Sequence, residues 1–279
     1  KARYTIFDQT MYDETLKLVE LENSLRFALK RNELTMHYQP IISLDNNHLV
    51  GFEALIRWQH PERGAISPVE FIPIAEDTGL ILDIGEWLLK EACQQLQTWR
   101  QQFASVPHII SLKMSINLAS QLLQEPEFIQ KLDQILLETG LEGSSLRLEI
   151  TESVLIEPEG TIQNTLRQIK NRNIKLSIDD FGTGYSSLSY LRRFPIDNLK
   201  IDRSFIQQMN FDSENFEIVR LIITLAKTLG MKTISEGVET ALQLNQLKGL
   251  GCEFAQGYLF SIPLAPKEIE LMLAKYPQF

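Results

Sequence analysis

Residues 36–58 decide the fold: MHYQPIISL (36–44), DNNH (45–48) and LVGFEALIRW (49–58). Two apolar, β-like runs flank Asp45, Asn46 and Asn47, residue types that tolerate the backbone of a tight turn. The pair reads as a hairpin, so the first two strands are expected to be antiparallel. Everything downstream has a different rhythm. Strand-like segments at 109–117, 145–151, 174–179, 198–202, 231–236 and 253–259 are separated by helical stretches near 121–139, 161–172, 214–229 and 240–249. That alternation belongs to a mostly parallel sheet. Helices near 69–78 and 81–102 fill the longer connection after the second strand, and a loosely amphipathic helix over 12–32 precedes the first. Eight strands in 279 residues suit a (β/α)8 barrel, which takes about 250.

Composition narrows the function. With 44% hydrophobic and 23% charged residues the chain is globular rather than disordered. The net charge of −9, from 27 basic and 36 acidic residues, opposes a duplex nucleic-acid surface, which needs clustered Lys and Arg. No stretch approaches the roughly 20 apolar residues of a spanning helix, and no signal peptide is visible. Cys93 and Cys252 lie far apart in apolar contexts and read as buried free thiols in a reducing compartment. The expected location is cytoplasmic, either alone or as the cytoplasmic part of a membrane-bound sensor. No internal repeat or linker-like tract interrupts the chain, so one domain is expected over residues 21–279, with residues 1–20 linking it to an upstream domain.

Strand parity locates the chemistry. Strands of a parallel barrel are buried on both faces and should be almost wholly aliphatic. Here Ile110, Leu112, Met114 and Ile116 alternate with Ser111, Lys113, Ser115 and Asn117. Leu146, Leu148 and Ile150 alternate with Arg147 and Glu149; Ile174, Leu176 and Ile178 with Lys175, Ser177 and Asp179; Leu199 and Ile201 with Lys200 and Asp202. The aliphatic set is expected under the helices and the polar set in the barrel interior. Burying that much charge demands compensating cations, and Lys200 alone is not enough. Glu53, Asn117, Glu149, Asp179, Lys200, Glu236 and Gln256 recur where an apolar strand gives way to a polar loop, an oxygen-rich set suited to a hard divalent cation. Glu236 shares parity with Ile234, which the alternation does not explain.

Single motifs have plainer readings. The Asp179–Asp180 pair can cap a following helix, and serves one site only if the strand ends there, which Phe181, Gly182, Thr183 and Gly184 allow. Glu53 and Arg57, on one strand face about 13 Å apart, are in isolation a structural ion pair as readily as a metal ligand and a phosphate grip. His37, His48, His60 and His108 lack the spacing of a zinc site.

Taken together the motifs are specific. Glu53-Ala54-Leu55 with Arg57, Asn117 in Ser115-Ile116-Asn117, Glu149-Ile150-Thr151-Glu152, Asp179 through Gly184, Lys200-Ile201-Asp202, Glu236-Gly237-Val238-Glu239 and Gln256-Gly257-Tyr258 resemble, in order over residues 22–265, the EAL domain family of bacterial cyclic di-GMP phosphodiesterases. The resemblance implies a modified (β/α)8 TIM-like barrel of the α/β class with an antiparallel first strand, in agreement with the hairpin. It implies two-metal hydrolysis of cyclic di-GMP to linear pGpG with Mg²⁺ or Mn²⁺; Ca²⁺, with longer bonds and looser coordination, is expected to inhibit. The alternative is a silent cyclic di-GMP receptor or protein-interaction module, as some family members are.

By the same resemblance, Glu53, Asn117, Glu149 and Asp179 hold a first metal, and Asp179, Asp180 and Glu236 a second, with Gln256 at the metal or the substrate. Lys200 orients or deprotonates the attacking water, Arg57 and Glu239 contact substrate, and Glu152 braces the loop after the Asp pair, residues 181–187. A homodimer and an upstream GGDEF or sensory domain are the expected partners. Ile56, where many relatives have Leu, and Ser261, where Lys is frequent, are mild departures outside the ligand set.

Overall fold

The computed structural model describes residues 9–156, 160–184, 191, 193–209 and 214–275. Its strands are β1 (Leu34–Ser43), β2 (Leu49–His60), β3 (Gly64–Ile66), β4 (Lys113–Asn117), β5 (Leu146–Thr151), β6 (Lys175–Phe181), β7 (Asn198–Ile201), β8 (Lys232–Ser235) and β9 (Phe254–Ala255). The helices used below are α1 (Gln9–Ala28), α2 (Pro68–Thr78), α3 (Ile81–Gln102), α4 (Pro107–Ile110), α5 (Ser120–Gln124) and α6 (Phe128–Thr139). The described residues form two compact units, one from those up to residue 35 with Ile56–Ile84, the other from Met36–Leu55 and those from residue 85 onward.

The second unit is the barrel. The strand order β1-β9-β8-β7-β6-β5-β4-β2 closes through a β1–β2 pairing. From β2 to β9 the neighbours run parallel, and β1 alone runs against its neighbour β9, with Ile42 opposite Ala255. The expected hairpin is present: Asn47 takes φ 58° and its N–H donates to the Ser43 carbonyl at 2.9 Å. Gly51 lets β2 approach β4, since a Cβ there would lie 2.3 Å from the Lys113 carbonyl oxygen.

Parity behaves as a two-sided burial predicts. Met114, Ile116, Leu146, Leu148, Ile150, Leu176, Ile178, Leu199 and Ile201 are buried, and so on the opposite face are Ser115, Arg147, Glu149, Ser177 and Lys200. The second group converges, because Arg147 Nη1 donates to Ser115 Oγ and Lys200 Nζ to Glu149 Oε2 across the interior.

Several boundaries differ from the sequence reading. The 109–117 segment begins as helix α4, because Pro107 sits where a missing N–H costs a helix nothing, and Ile110 is left 51% exposed. The 121–139 stretch is two helices, α5 and α6, parted at Pro126. β8 stops at Ser235, so parity no longer governs Glu236; its N–H donates to the Ile201 carbonyl at 3.1 Å and Gly237 at φ 68° turns the chain. β9 is only two residues long. A ninth strand, β3, pairs antiparallel with the end of β2.

The first unit holds α1 against α2. Trp58 packs edge-on to Phe71 at 5.6 Å and donates its indole N–H to Glu33 Oε2 at 3.0 Å. His60 Nδ1 accepts from the N–H groups of Glu62 and Arg63, a turn-holding histidine rather than a metal ligand. On α1, residues 16–20 are all exposed, and burial begins at Leu21. The one ion pair described for residues 16–20, Glu20 with Arg63, is largely solvent-exposed and worth about 0–1 kcal/mol. Deleting residues 1–20 is therefore expected to shift the melting temperature by no more than about 3 °C. A drop of ten degrees or more in a thermal melt would place that segment in the core; residues 1–8 lie outside the described residues.

Candidate metal centre

Register brings the oxygen ligands to one end of the barrel. Asn117 closes β4 opposite Glu149 on β5, Asp179 on β6 lies opposite Thr151, and Glu236 and Gln256 directly follow β8 and β9. Oxygens of Glu53, Glu149 and Asp179 lie within 4.8 Å of one another, as do those of Asp179, Asp180 and Glu236. Asp179 is common to both groups. Consecutive strand residues should point oppositely, yet Asp179 and Asp180 reach one site because β6 slips register between Ile178 and Phe181 and Asp180 takes φ 51°. The strand does not end at the pair, as the sequence reading required; it bulges.

Lys200 is the hub. With none of its surface exposed, its Nζ lies 2.5 Å from Glu149, 2.6 Å from Glu236, 3.0 Å from Asp179 and 3.4 Å from Glu53. The two amides tie the rim together. Asn117 Nδ2 donates to Glu53 Oε1 at 2.7 Å, and Gln256 Nε2 donates to Glu53 Oε2 at 2.5 Å and to Glu236 Oε1 at 3.1 Å.

The electrostatics follow from burial. Desolvation pushes the Glu149 carboxyl up to about 7; Lys200 opposes this while Glu53 and Asp179 reinforce it. Glu236 is raised well above the carboxylate range by burial first, then by Asp179 and Glu53. Asp180 is pushed up to about 6 by partial desolvation of its carboxyl, by Asp179 and by a hydrogen bond with Asp202. Burial would lower the Lys200 ammonium, but Asp179, Glu149, Glu236 and Glu53 outweigh it and hold it well above its usual value. That is the reverse of what a lysine between two dications would show, so the charge of Lys200 depends on whether cations are bound.

The donor set fits divalent cations. Five carboxylates face one ammonium, a formal excess of four negative charges that two dications would cancel. Glu149 Oε1 and Gln256 Oε1 are buried without a hydrogen-bond partner among the described residues. All the donors are carboxylate or amide oxygens, as Mg²⁺ and Mn²⁺ prefer.

Around this core, Glu152 follows β5 in a short 3-10 turn and is buried; its Oε2 accepts the Gly182 N–H at 3.1 Å. A Cβ at Gly184 would lie 3.0 Å from its other oxygen, so the carboxylate packs directly against the loop, whose residues 185–187 lie outside those described. Asp202 was given no role by the sequence reading. Its carboxylate caps the following helix by accepting the Ser204 N–H and also meets Asp180; its place directly after Lys200-Ile201 was the available signal. Glu239 lies outside the cluster. It is exposed and accepts from Gln207 at 3.3 Å, and Arg57 belongs to the other compact unit, half-buried, donating to its neighbour's carbonyl, Ile56 O, at 2.8 Å.

The family model described as EAL domain matches residues 22–263. This chain belongs to the EAL domain family. Among EAL relatives, MucR of Pseudomonas aeruginosa, named a bifunctional diguanylate cyclase/cyclic di-GMP phosphodiesterase, is 40% identical over 266 residues, covering 95% of this chain and 38% of its own length. PdeR of Escherichia coli, named a cyclic di-GMP phosphodiesterase, is 34% identical over 276 residues, covering 99% of this chain and 41% of its own. A solved structure of the MucR phosphodiesterase in complex with c-di-GMP matches with a TM-score of 0.84 at 41% identity, covering 90% of this chain and 99% of that one. This EAL chain spans less than half the length of the curated relatives it matches.

For this EAL domain the raised carboxyls set a pH dependence. Glu149 and Asp180 hold protons more tightly folded than unfolded, so their contribution to metal-free stability is lost as pH rises through about 6 to 7. A cation needs those carboxylates ionised, so its affinity should rise over the same window, with protons released on binding. Calorimetric titration of Mn²⁺ at pH 5.5 and 8, in buffers of different ionisation enthalpy, should show tighter binding and fewer released protons at pH 8. Equal affinity at both values would contradict the assignment.

Proposed function

We propose that this EAL domain hydrolyses one phosphodiester of cyclic di-GMP to give linear pGpG, using two Mg²⁺ or Mn²⁺ ions. The observation that carries the reading is the pair of oxygen clusters sharing Asp179 around a buried lysine. The names of MucR and PdeR, and the c-di-GMP complex of MucR, supply the substrate by kinship.

Glu53, Asn117, Glu149 and Asp179 hold one ion, and Asp179, Asp180 and Glu236 the other. Cations bound there supply Lewis acidity and neutralise charge as the phosphorus–oxygen bond breaks. Lys200 directs its N–H groups at the attacking water. Gln256 fixes Glu53 and Glu236 through its Nε2, and its partnerless carbonyl oxygen would be available to an ion or to substrate. Arg57 and Glu239 contact substrate, the former gripping a phosphate. Glu152 is a positioning residue: holding the Gly182 N–H keeps the bulge, and with it Asp180, in register. We further propose that residues 1–20 connect the barrel to an upstream GGDEF or sensory domain, that two copies pair, and that the protein works in the cytoplasm, where the buried Cys93 and Cys252 stay reduced. Among the described residues no helix is long and apolar enough to cross a membrane.

Incubation with cyclic di-GMP and Mg²⁺, followed by chromatography, should yield pGpG. Glu53→Ala and excess EDTA should each abolish it, and Ca²⁺ should inhibit because its longer bonds of about 2.3–2.6 Å replace the compact Mg²⁺ geometry. Binding of cyclic di-GMP without turnover would make the chain a receptor instead. Glu152→Ala should cut kcat roughly 10²-fold with the fold intact, since displacing a catalytic group by about 1 Å costs that much. Near-normal kcat with only a lowered melting temperature would reduce Glu152 to a structural cap.

A further inference from the structure

At the N-terminal ends of β2, β4, β5 and β9 lies an open-mouthed cavity of about 440 Å³, lined among others by His48, His108, Ser111, Lys113, Arg147 and Phe254. Arg147 is its unusual member. It is 6% exposed, yet its one described hydrogen bond is a 3.3 Å contact from Nη1 to Ser115 Oγ, its buried Nε has no partner, and no described carboxylate lies within 4.0 Å. Arg172 meets Asp133 and Arg63 meets Glu20, while Arg100, also with a partnerless buried Nε, at least donates to Ser145 Oγ at 2.9 Å and to the Leu112 carbonyl at 2.7 Å. A guanidinium buried without a counter-ion is costly.

Burial pushes the Arg147 guanidinium down, and the acids that oppose this, Glu149, Asp197 and Glu53, act from beyond ion-pair distance, while other cations share the cavity. Lys113 lines the same cavity, and Lys232 lies over the Phe254 ring at 5.5 Å while Arg147 lies over it at 5.8 Å. The Lys113 ammonium is pushed down by burial and then by Arg147, Lys175 and Lys232, against Asp197. Asp197 is itself committed to Lys170 at 2.5 Å and Lys175 at 2.8 Å, and Glu253 accepts from Thr233. The rings of His48 and His108 stack with centroids 6.0 Å apart and planes 6° from parallel.

We propose that this cavity is a second ligand site, separate from the metal centre, that takes a small organic phosphate of up to mononucleotide size. Its phosphate would meet the planar guanidinium of Arg147 and the Lys113 ammonium, the pairing that guanidinium geometry favours. The stacked imidazoles offer flat ring surface to the rest of the ligand, and the volume lies within the range of about 300–1,000 Å³ usual for small-molecule sites. The rival account is a hydrated arginine that merely fills the barrel floor.

The test titrates the full chain with inorganic phosphate and with GMP in EDTA, so that the acidic metal centre repels both probes. Calorimetry should show one saturable site, and the imidazole NMR signals of His48 and His108 should move with it. Arg147→Met should weaken binding about tenfold or more, the loss expected for a charge-assisted hydrogen bond to an anion. Tighter binding of GMP would show that the rings read the nucleoside, and equal binding that the site reads phosphate alone. Absence of saturable binding at millimolar concentration, or undiminished binding by Arg147→Met, would overturn the site. Should Arg147→Met not fold, Lys113→Gln decides: weakened binding supports the site, and native-like binding overturns it.

Discussion

A single buried ammonium, Lys200 Nζ, contacts four carboxylates in the barrel interior, and the architecture around it follows from making that contact tolerable. Each of those charges is expensive to desolvate, and removing either sign alone would leave the other unpaired. The lysine cannot balance the group by itself, so burial raises Glu149 and Glu236 and makes them hold protons more tightly until dications replace those protons. Proton uptake, metal affinity and the charge of Lys200 are thus one coupled equilibrium.

The closed sheet makes such a cluster possible. Each parallel strand buries an aliphatic face beneath the helices, which frees its other face to carry polar groups inward, and register then sorts them by height. Arg147 and Glu149 stand on the same face of β5 two residues apart, one toward the basic floor and the other in the acidic mouth. A strand rise of about 3.3 Å per residue separates them by roughly 7 Å. The local departures from regular structure fall where side chains must be re-aimed: the bulge and positive φ at Asp180, the stop at Ser235 before Glu236, and the short β9 before Gln256.

Much of this was legible in the residues. The Asp45–Asn47 turn announced the antiparallel start, and alternation in 145–151 and 174–179 announced a polar interior. Sequence failed where long-range geometry overrode period. Ile110 fitted the alternation of β4 but lies in a proline-initiated helical turn, and Glu236 broke parity because its strand had ended. The reach of Asp180 depended on a bulge that no local pattern encodes. Arg147 was visible as an interior residue, but its want of a counter-ion shows only when neighbouring strands are assembled.

The central claim is that the clusters sharing Asp179 are two cation sites built on one lysine. The most direct measurement is a crystal structure of the Mn²⁺-loaded chain with anomalous scattering recorded at the manganese edge. Two anomalous peaks are expected, about 3.5–4 Å apart, one within ligand distance of Glu53, Asn117, Glu149 and Asp179 and the other of Asp179, Asp180 and Glu236. No peak at Asp179, or a single fully occupied ion at saturating Mn²⁺ with Asp180 and Glu236 turned away, would contradict the account.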